Sequence, residues 1–407
     1  LTAQSNTADI AARAKALEPN LIEWRRDFHQ HPELSNQEKR TAQVIEQRLR
    51  AMGFTNIRTG VARHGIVATL EGGKPGPVVA WRADMDALPI DESHFQVPYK
   101  SKVKGVKHAC GHDAHMSVAL GIASLLAERR AELPGTVKFI FQPAEEGAKD
   151  APVWGAKLML EEGALENPRP SAIFAYHVSP MIPAGTIGYT SGPASAASDT
   201  IKITFQGKRA HGAYPHQGID AVAVASQCIM ALQTIHSRRI PTQEPSVLTL
   251  GTVHGGDRRN VIAETVTVEG TVRTFQPRTQ DAIETMLHET LRGCTEAMGA
   301  KYELSYRRGY PSMQNDAALI EKALPILQRA VGSNNVIPQS AGMGAEDFSY
   351  FQKQIPGVMF LLGVGNEAKG MNAGLHTADF DLDESALSVG VSAGASLVWN
   401  YLENAKP

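Results

Sequence analysis

The chain has 407 residues, more than one ordinary hydrophobic core holds, so two domains are expected. Hydrophobic residues at 43% and charged residues at 20% fit a globular protein and argue against a disordered one. With 40 Lys plus Arg against 42 Asp plus Glu, the formal net charge of -2 gives no electrostatic footprint for nucleic acid or an anionic membrane, and no run reaches the ~20 apolar residues that cross a bilayer.

The chain opens on Leu1 rather than Met, followed by a polar run to Asp9. A chain looks like this after signal-peptide removal, which places it in the periplasm or outside the cell; a trimmed cytoplasmic chain looks the same. Leu21, Trp24 and Phe28 share one helical face. Ser35 with Glu38 reads as a capping box opening a second helix, which Gly53 closes. Short apolar runs predict strands at 65–70, 78–82, 137–141, 173–177 and 357–362, with helices at 114–128 and 384–402. The middle breaks this rhythm: strand 200–205, helix 219–235, strands 246–253 and 265–275, helix 279–298 and strand 301–306. That order, βαββαβ, is the split βαβ unit of a ferredoxin-like α+β domain. The Gly-, Pro-, Ser- and Ala-rich stretch 191–198 is a candidate hinge. The expectation is an α/β protein: a discontinuous catalytic domain (1–190 and 306–407) with a mostly parallel sheet, and an inserted domain at 191–305.

The densest chemistry is His108-Ala-Cys110-Gly-His112-Asp113-Ala-His115. A thiolate and an imidazole two residues apart, on a Gly-containing turn at a helix N-terminus, can converge on one cation, and the helix end favours the thiolate. The alternative is a buried or reactive Cys among chance histidines. Cys228 and Cys294 sit in apolar helical patterns and read as inert buried thiols. Glu145 and Glu146 follow the 137–141 strand, at the carboxyl end where open α/β sheets place their sites. One acid can ligate a metal while the other handles protons, unless the pair is a solvated acidic turn. His177 ends the 173–177 strand, and His376 follows the Gly-rich loop after 357–362. Asp84 and Asp86 interrupt a strand; a buried acid there needs a strong partner, such as a metal-bound imidazole, or else it is a structural turn residue. A thiolate with imidazoles suits Zn, with Mn, Co or Ni as alternatives.

Four motifs carry a resemblance to a known family: Arg82-Ala-Asp-Met-Asp-Ala-Leu-Pro89, His108-Ala-Cys-Gly-His-Asp-Ala-His115, Gln142-Pro-Ala-Glu-Glu-Gly147 and Gly342-Met-Gly-Ala-Glu-Asp-Phe-Ser349. They look like the hippurate hydrolase branch of the aminoacylase/carboxypeptidase metallopeptidase family, which includes N-acyl-amino-acid amidohydrolases and plant auxin-conjugate hydrolases. The resemblance implies two divalent metal ions per subunit bridged by Cys110, with His112 and His177 on one and Glu146 and His376 on the other. The broader family has a bridging Asp where this branch has Cys, and His-x-Asp where this chain has Asp84-Met-Asp86, so Asp86 takes the place of that motif's acid. Glu145 is implied as general base, moving a proton from a metal-bridging water to the leaving amine. The inserted domain resembles a lid and dimerisation domain, implying a homodimer or higher homo-oligomer. His211 is implied to reach a partner subunit's site and stabilise an oxyanion; without the resemblance it reads as a turn residue between Gly207 and Pro215. Asn260 and Arg273 match positions that bind a substrate carboxylate. Arg273 could grip it bidentately or pair with Glu269 on its own strand. Ala263 stands where family members often have Pro.

The leading expectation is metal-dependent hydrolysis of N-acyl-amino acids, with a small-molecule substrate and neither nucleic acid nor membrane as partner. The alternatives are a dipeptidase or other amide hydrolase with the same centre, a Cys110 nucleophile assisted by His112, and a catalytically silent dimeric binding homologue.

Overall fold

A computed structural model describes residues 3–148 and 151–404, with side chains from residue 8 onward. The reading of Leu1 lies outside the described residues. The chain forms two compact units. The first holds the residues up to Gly192, Gln314–Ser340 and those from Tyr350 on; the second holds Pro193–Met313 and Ala341–Ser349.

The main elements begin with α1 (Ala3–Gln30), α2 (Lys39–Ala51), β1 (Asn56–Val61), β2 (Gly65–Glu71) and β3 (Lys74–Asp84). Then come α3 (His112–Glu128), β4 (Pro134–Gln142), β5 (Ala172–Pro183) and β6 (Ile187–Tyr189). The second unit contributes β7 (Ala197–Gln206), α4 (Ala221–Thr234), β8 (Ser246–Gly255), β9 (Thr265–Thr274), α5 (Pro277–Ala297) and β10 (Lys301–Arg308). The chain closes with α6 (Ala317–Val331), β11 (Val336–Pro338), β12 (Gly357–Gly365) and α7 (Ser385–Asn404).

In the first unit, one sheet runs β1-β2-β4-β3-β5-β12-β6-β11. Its centre, β4-β3-β5-β12, is parallel, with antiparallel β1 and β2 at one side and β6 antiparallel to β12 at the other. The central strands read as near-continuous apolar runs because both faces are covered. α3 is buried along most of its length, as an all-round apolar helix must be. It approaches α7 closely at Gly121, where a Cβ would stand 2.5 Å from Val391 Cγ2. The site segments leave the carboxyl ends of parallel strands: Asp86 follows β3, Glu145 and Glu146 follow β4, and the His376 loop follows β12. That is where open α/β sheets bind ligands. His177 lies inside β5, which continues to Pro183 rather than ending at the histidine.

The second unit has the order βαββαβ and an antiparallel sheet β8-β9-β7-β10, the ferredoxin-like arrangement. Along β7, Ile201, Ile203 and Phe205 point into the core while Lys202 and Gln206 face out. Val224, Cys228 and Leu232 on α4, and Ile283, Leu287 and Leu291 on α5, form helical stripes over that face. Cys228 is thus a core thiol.

The expected capping box does not form. α2 starts at Lys39, and Glu38 occupies its N-cap without capping it through its side chain. The Ser35 hydroxyl donates to Asp86, and the Glu38 carboxylate accepts the Ala144 N–H. Tertiary partners outcompete the local ones. Gly53 closes α2 as expected, with φ +87° and its N–H on Arg50 O.

Candidate metal centre

Cys110 lies in the turn leading into α3. Gly111 makes that turn possible: its φ is +83°, and a Cβ would stand 2.3 Å from Val178 Cγ2. Cys110 Sγ is 3.4 Å from His177 Nε2 and 3.2 Å from His376 Nε2. Glu146 Oε1 is 3.2 Å from His376 Nε2 and 4.0 Å from His112 Nε2. The donor atoms of Cys110, His112 and His177 lie within 4.8 Å of one another, and so do those of Cys110, Glu146 and His376. Atoms bound to one ion at 2.0–2.3 Å are at most about 4.6 Å apart, so each group is near the size one cation draws together. Cys110 is common to both. A further group joins His112, Glu145 and Glu146.

Two of these imidazoles are oriented through their other nitrogen. His112 Nδ1 donates to the Asp86 carbonyl and His177 Nδ1 to the Val178 carbonyl, each at 2.8 Å, which leaves each Nε2 with its lone pair. The other two histidines of the motif behave differently. His115 Nδ1 is 2.6 Å from Asp84 Oδ1, and its Nε2 accepts the Val178 N–H at 2.8 Å. With both nitrogens engaged, His115 has no lone pair for a cation. Asp84 Oδ2 accepts from Arg82 at 2.6 Å and lies 3.7 Å from His112 Nε2, so Asp84 hydrogen-bonds Arg82 and His115 and faces the His112 imidazole by charge alone. His108 is buried, makes no hydrogen bond through its ring, and belongs to none of the donor groups found among the described residues.

The acidic turn is held by its backbone. Asp86 accepts the Glu145 N–H on Oδ1 (3.1 Å) and the Glu146 N–H on Oδ2 (3.0 Å), while Ser35 donates to Oδ2 at 2.7 Å. Ala144, just before, is left-handed at φ +55°. His376 is also left-handed, at φ +60°, and its N–H donates to Ala109 O at 2.8 Å, tying its loop to the Cys110 turn.

Burial pushes the Cys110 thiol up, but His177, His112 and His376 outweigh it and bring it down to about 6. Burial likewise opposes charge on His112, yet Asp84, Asp86 and Cys110 raise it well above the usual imidazole range. Hydrogen bonds to Cys110 and Glu146 lift His376 to about 10. The anions draw positive charge onto the rings facing them, a demand that a divalent cation also meets. His112 Nε2 is buried without a hydrogen bond. Such an atom costs about 1–3 kcal/mol, and it belongs to the donor groups. The residues present therefore fit divalent metal.

Sequence reasoning missed the support behind this centre. Asp113 accepts from Arg25 at 2.8 Å and lies 2.7 Å from His29 Nδ1. Arg25 also donates to Asp381 at 3.1 Å. A signal was available: Arg25 sits between Leu21 and Phe28 on the apolar face of α1, where a charge needs a partner.

His211, Asn260 and Arg273 belong to the second unit. His211 pairs with Val261 in a two-stranded ribbon, and the Gly212 N–H donates to Asn260 O, so His211 and Asn260 are neighbours; both are exposed. The Ala213 N–H donates to His211 Nδ1 at 3.0 Å, which puts the ring proton on Nε2. Arg273 is half-buried on β9, apart from that ribbon, with burial lowering its pKa and Asp199 opposing the shift. Glu269 pairs with Lys202 at 3.4 Å rather than with Arg273, because alternate residues along β9 meet different cross-strand partners.

Residues 80–400 match the model of Peptidase family M20/M25/M40. N-acetylcysteine deacetylase of Bacillus subtilis is 39% identical over 392 residues, covering 96% of this chain and 99% of that protein. IAA-amino acid hydrolase ILR1-like 2 of Arabidopsis thaliana is 36% identical over 394 residues, covering 95% and 87%. Among solved structures, a dinuclear metal binding peptidase of the M20 family from Bacillus subtilis superposes with a TM-score of 0.83 at 37% identity, covering 96% of this chain and 100% of that one.

Proposed function

Because the chain belongs to peptidase family M20/M25/M40, as a hydrolase of its aminoacylase/hippurate hydrolase branch, we propose that it hydrolyses the amide bond of N-acyl-amino acids at a centre of two divalent ions. The observation that carries this reading is the pair of donor groups sharing Cys110, with Glu145 beside them. Cys110 with His112 and His177 would hold one ion, and Cys110 with Glu146 and His376 the other. Zinc suits a thiolate with imidazoles best, ahead of Mn, Co and Ni. Such ions, when bound, supply Lewis acidity that polarises an amide carbonyl and makes water nucleophilic at neutral pH.

The chain's own residues do the rest. Glu145 is the general base: its carboxylate takes a proton from the attacking water as the C–O bond forms. It then delivers that proton to the departing nitrogen as the C–N bond breaks, so the amine leaves neutral. Asp86 aims Glu145 by holding its N–H, and turns His112 through its own carbonyl. His211 of the partner subunit is assigned as oxyanion donor through its Nε2–H, in a homodimer or higher homo-oligomer built through the inserted second unit. Asn260 and Arg273 are assigned to the substrate carboxylate, which an Arg can hold bidentately.

The test is hydrolysis of hippurate, N-acetyl-Met, N-acetyl-Cys, indoleacetyl-Ala and a dipeptide, each with and without added Zn or Mn. Chelation should abolish turnover and metal should restore it. Glu145→Gln should keep its metal and lose roughly 10²–10⁴-fold in kcat. Full activity in metal-free protein, or in Glu145→Gln, overturns the reading. Turnover of the dipeptide alone reassigns the enzyme to dipeptide hydrolysis, and iodoacetamide alkylation of the metal-loaded protein at Cys110 favours a nucleophile instead.

A further inference from the structure

Glu38 has no part in the chemistry above, yet it is fully buried, and so is Asp86 nearby. Its Oε1 accepts the N–H of Ala144 at 2.8 Å and that of Asn36 at 3.0 Å. Both of these residues are left-handed, Ala144 at φ +55° and Asn36 at φ +64°. Alanine adopts that region rarely, and glycine, which adopts it freely, is not used at 144. Something must hold the bend. Across the turn, three successive N–H groups end on two buried carboxyl groups: Ala144 on Glu38, then Glu145 and Glu146 on Asp86.

A helix cap does not account for Glu38. Its side chain caps nothing in α2, and an exposed Ser, Thr or Asp serves that purpose without burying a carboxyl group. Its second oxygen is buried without a hydrogen bond. The side chain is kept in a costly place where its one evident task outside its own loop is the Ala144 N–H.

We propose that Glu38 is a positioning residue for the amide hydrolysis: by holding Ala144 in its left-handed bend, it fixes the direction in which Glu145 leaves the turn. It acts through the backbone, and belongs to none of the donor groups. The proposal rests on Glu145 being the general base.

The test compares Glu38→Met, which keeps the length and removes the acceptor, with Glu38→Gln, which retains an acceptor oxygen, and with Glu38→Met combined with Ala144→Gly. Each metal-loaded protein is assayed for kcat, KM, metal content and melting temperature on the best substrate. Glu38→Met should lose roughly 10–100-fold in kcat, as expected for a displaced catalytic group, with KM and metal content close to wild type. Glu38→Gln should stay within a few-fold of wild type. Ala144→Gly should return much of the lost kcat to Glu38→Met, because glycine needs no holding in that region. Wild-type kcat in Glu38→Met overturns the proposal. So does a kcat loss that follows metal loss or melting temperature and that Ala144→Gly leaves untouched. If the Met variant does not fold, Glu38→Asp withdraws the acceptor by one methylene and carries the same test: loss with glycine recovery supports the proposal, and the lack of either overturns it. An active Glu145→Gln refutes the base itself, whereas an active Glu38→Met beside a dead Glu145→Gln refutes only the positioning role.

Discussion

Replacing Asp84 by Asn changes one atom, yet the surroundings allow it no good orientation. Asp84 is fully buried and accepts from two sides, Arg82 on Oδ2 and His115 Nδ1 on Oδ1, each at 2.6 Å. His115 cannot adapt freely, because its Nε2 already accepts the Val178 N–H. If the new amide turns its NH2 toward Arg82, two donors meet. If it turns the NH2 toward His115, the ring must move its proton to Nε2, where it meets the Val178 N–H. Either way a buried donor loses its acceptor, at about 1–3 kcal/mol, and more where the donor is charged. The Val178 carbonyl also receives His177 Nδ1, so a shift of this backbone turns a proposed ligand. At about 1.4 kcal/mol per tenfold, 1–3 kcal/mol corresponds to a roughly 5- to 150-fold loss of metal affinity. Competition against a graded chelator, with metal content measured at each step, reads that number. An Asp84→Asn protein that holds metal as tightly as wild type refutes the donor-acceptor chain from Arg82 to His177.

The network behind α3 gives two more predictions. Arg25→Met keeps most of the volume but takes the guanidinium from Asp113 and Asp381, leaving them His29 and the Tyr99 hydroxyl, and should cost about 3–5 kcal/mol of stability; an unchanged urea midpoint at unchanged m-value would contradict the network. Stability should also fall at both pH extremes. Burial pushes Glu92 up, but His29, the Ser101 N–H and Lys107 bring it to about 2 from the ordinary 4.5, so its contribution is present above about 4.5 and lost as pH falls toward 2. Burial and Arg25 push His29 down, but Asp113 and Glu92 prevail and raise it, so its contribution is complete below the ordinary 6.5 and is lost as pH rises through the raised value. Urea midpoints against pH should show a shallower acid limb for Glu92→Gln; an identical limb would remove Glu92 from the account.

Strands read from short apolar runs, such as β2, β4 and β12, lie where sequence placed them, since burial on both faces leaves little else for such runs to do. Cys110, His112, Glu145, Glu146, His177 and His376 also lie together; they were legible because Cys110 and His112 stand two residues apart before a helix and the other donors lie in or after apolar strands. What sequence missed has weak local patterning: β1 is an exposed edge strand, and α6 carries Pro325 inside its helix. What it misread are polar side chains with a plausible local use. Ser35 and Glu38 match a capping box over four positions, whereas Ser35 donates to Asp86, 51 residues away, and Glu38 accepts from Ala144, 106 residues away, as well as from Asn36. His115 stands in the same motif as Cys110 and His112, yet it is claimed by Asp84, 31 residues before it, and by Val178, 63 residues after. A local pattern reports which partner is near in the chain. The buried group takes the partner that removes most desolvation cost, and for a charge that is whichever opposite or donor group the fold brings within reach. Arg25 illustrates the converse: lacking any local pairing in an apolar stripe, it could be read only as a demand for a distant acid, and Asp113, 88 residues on, supplies it. Buried polar side chains with a ready local explanation are therefore the positions at which to look for the supports of this turn and this centre, and Glu38, which keeps Asn36 as a local partner while reaching Ala144, is the case in point.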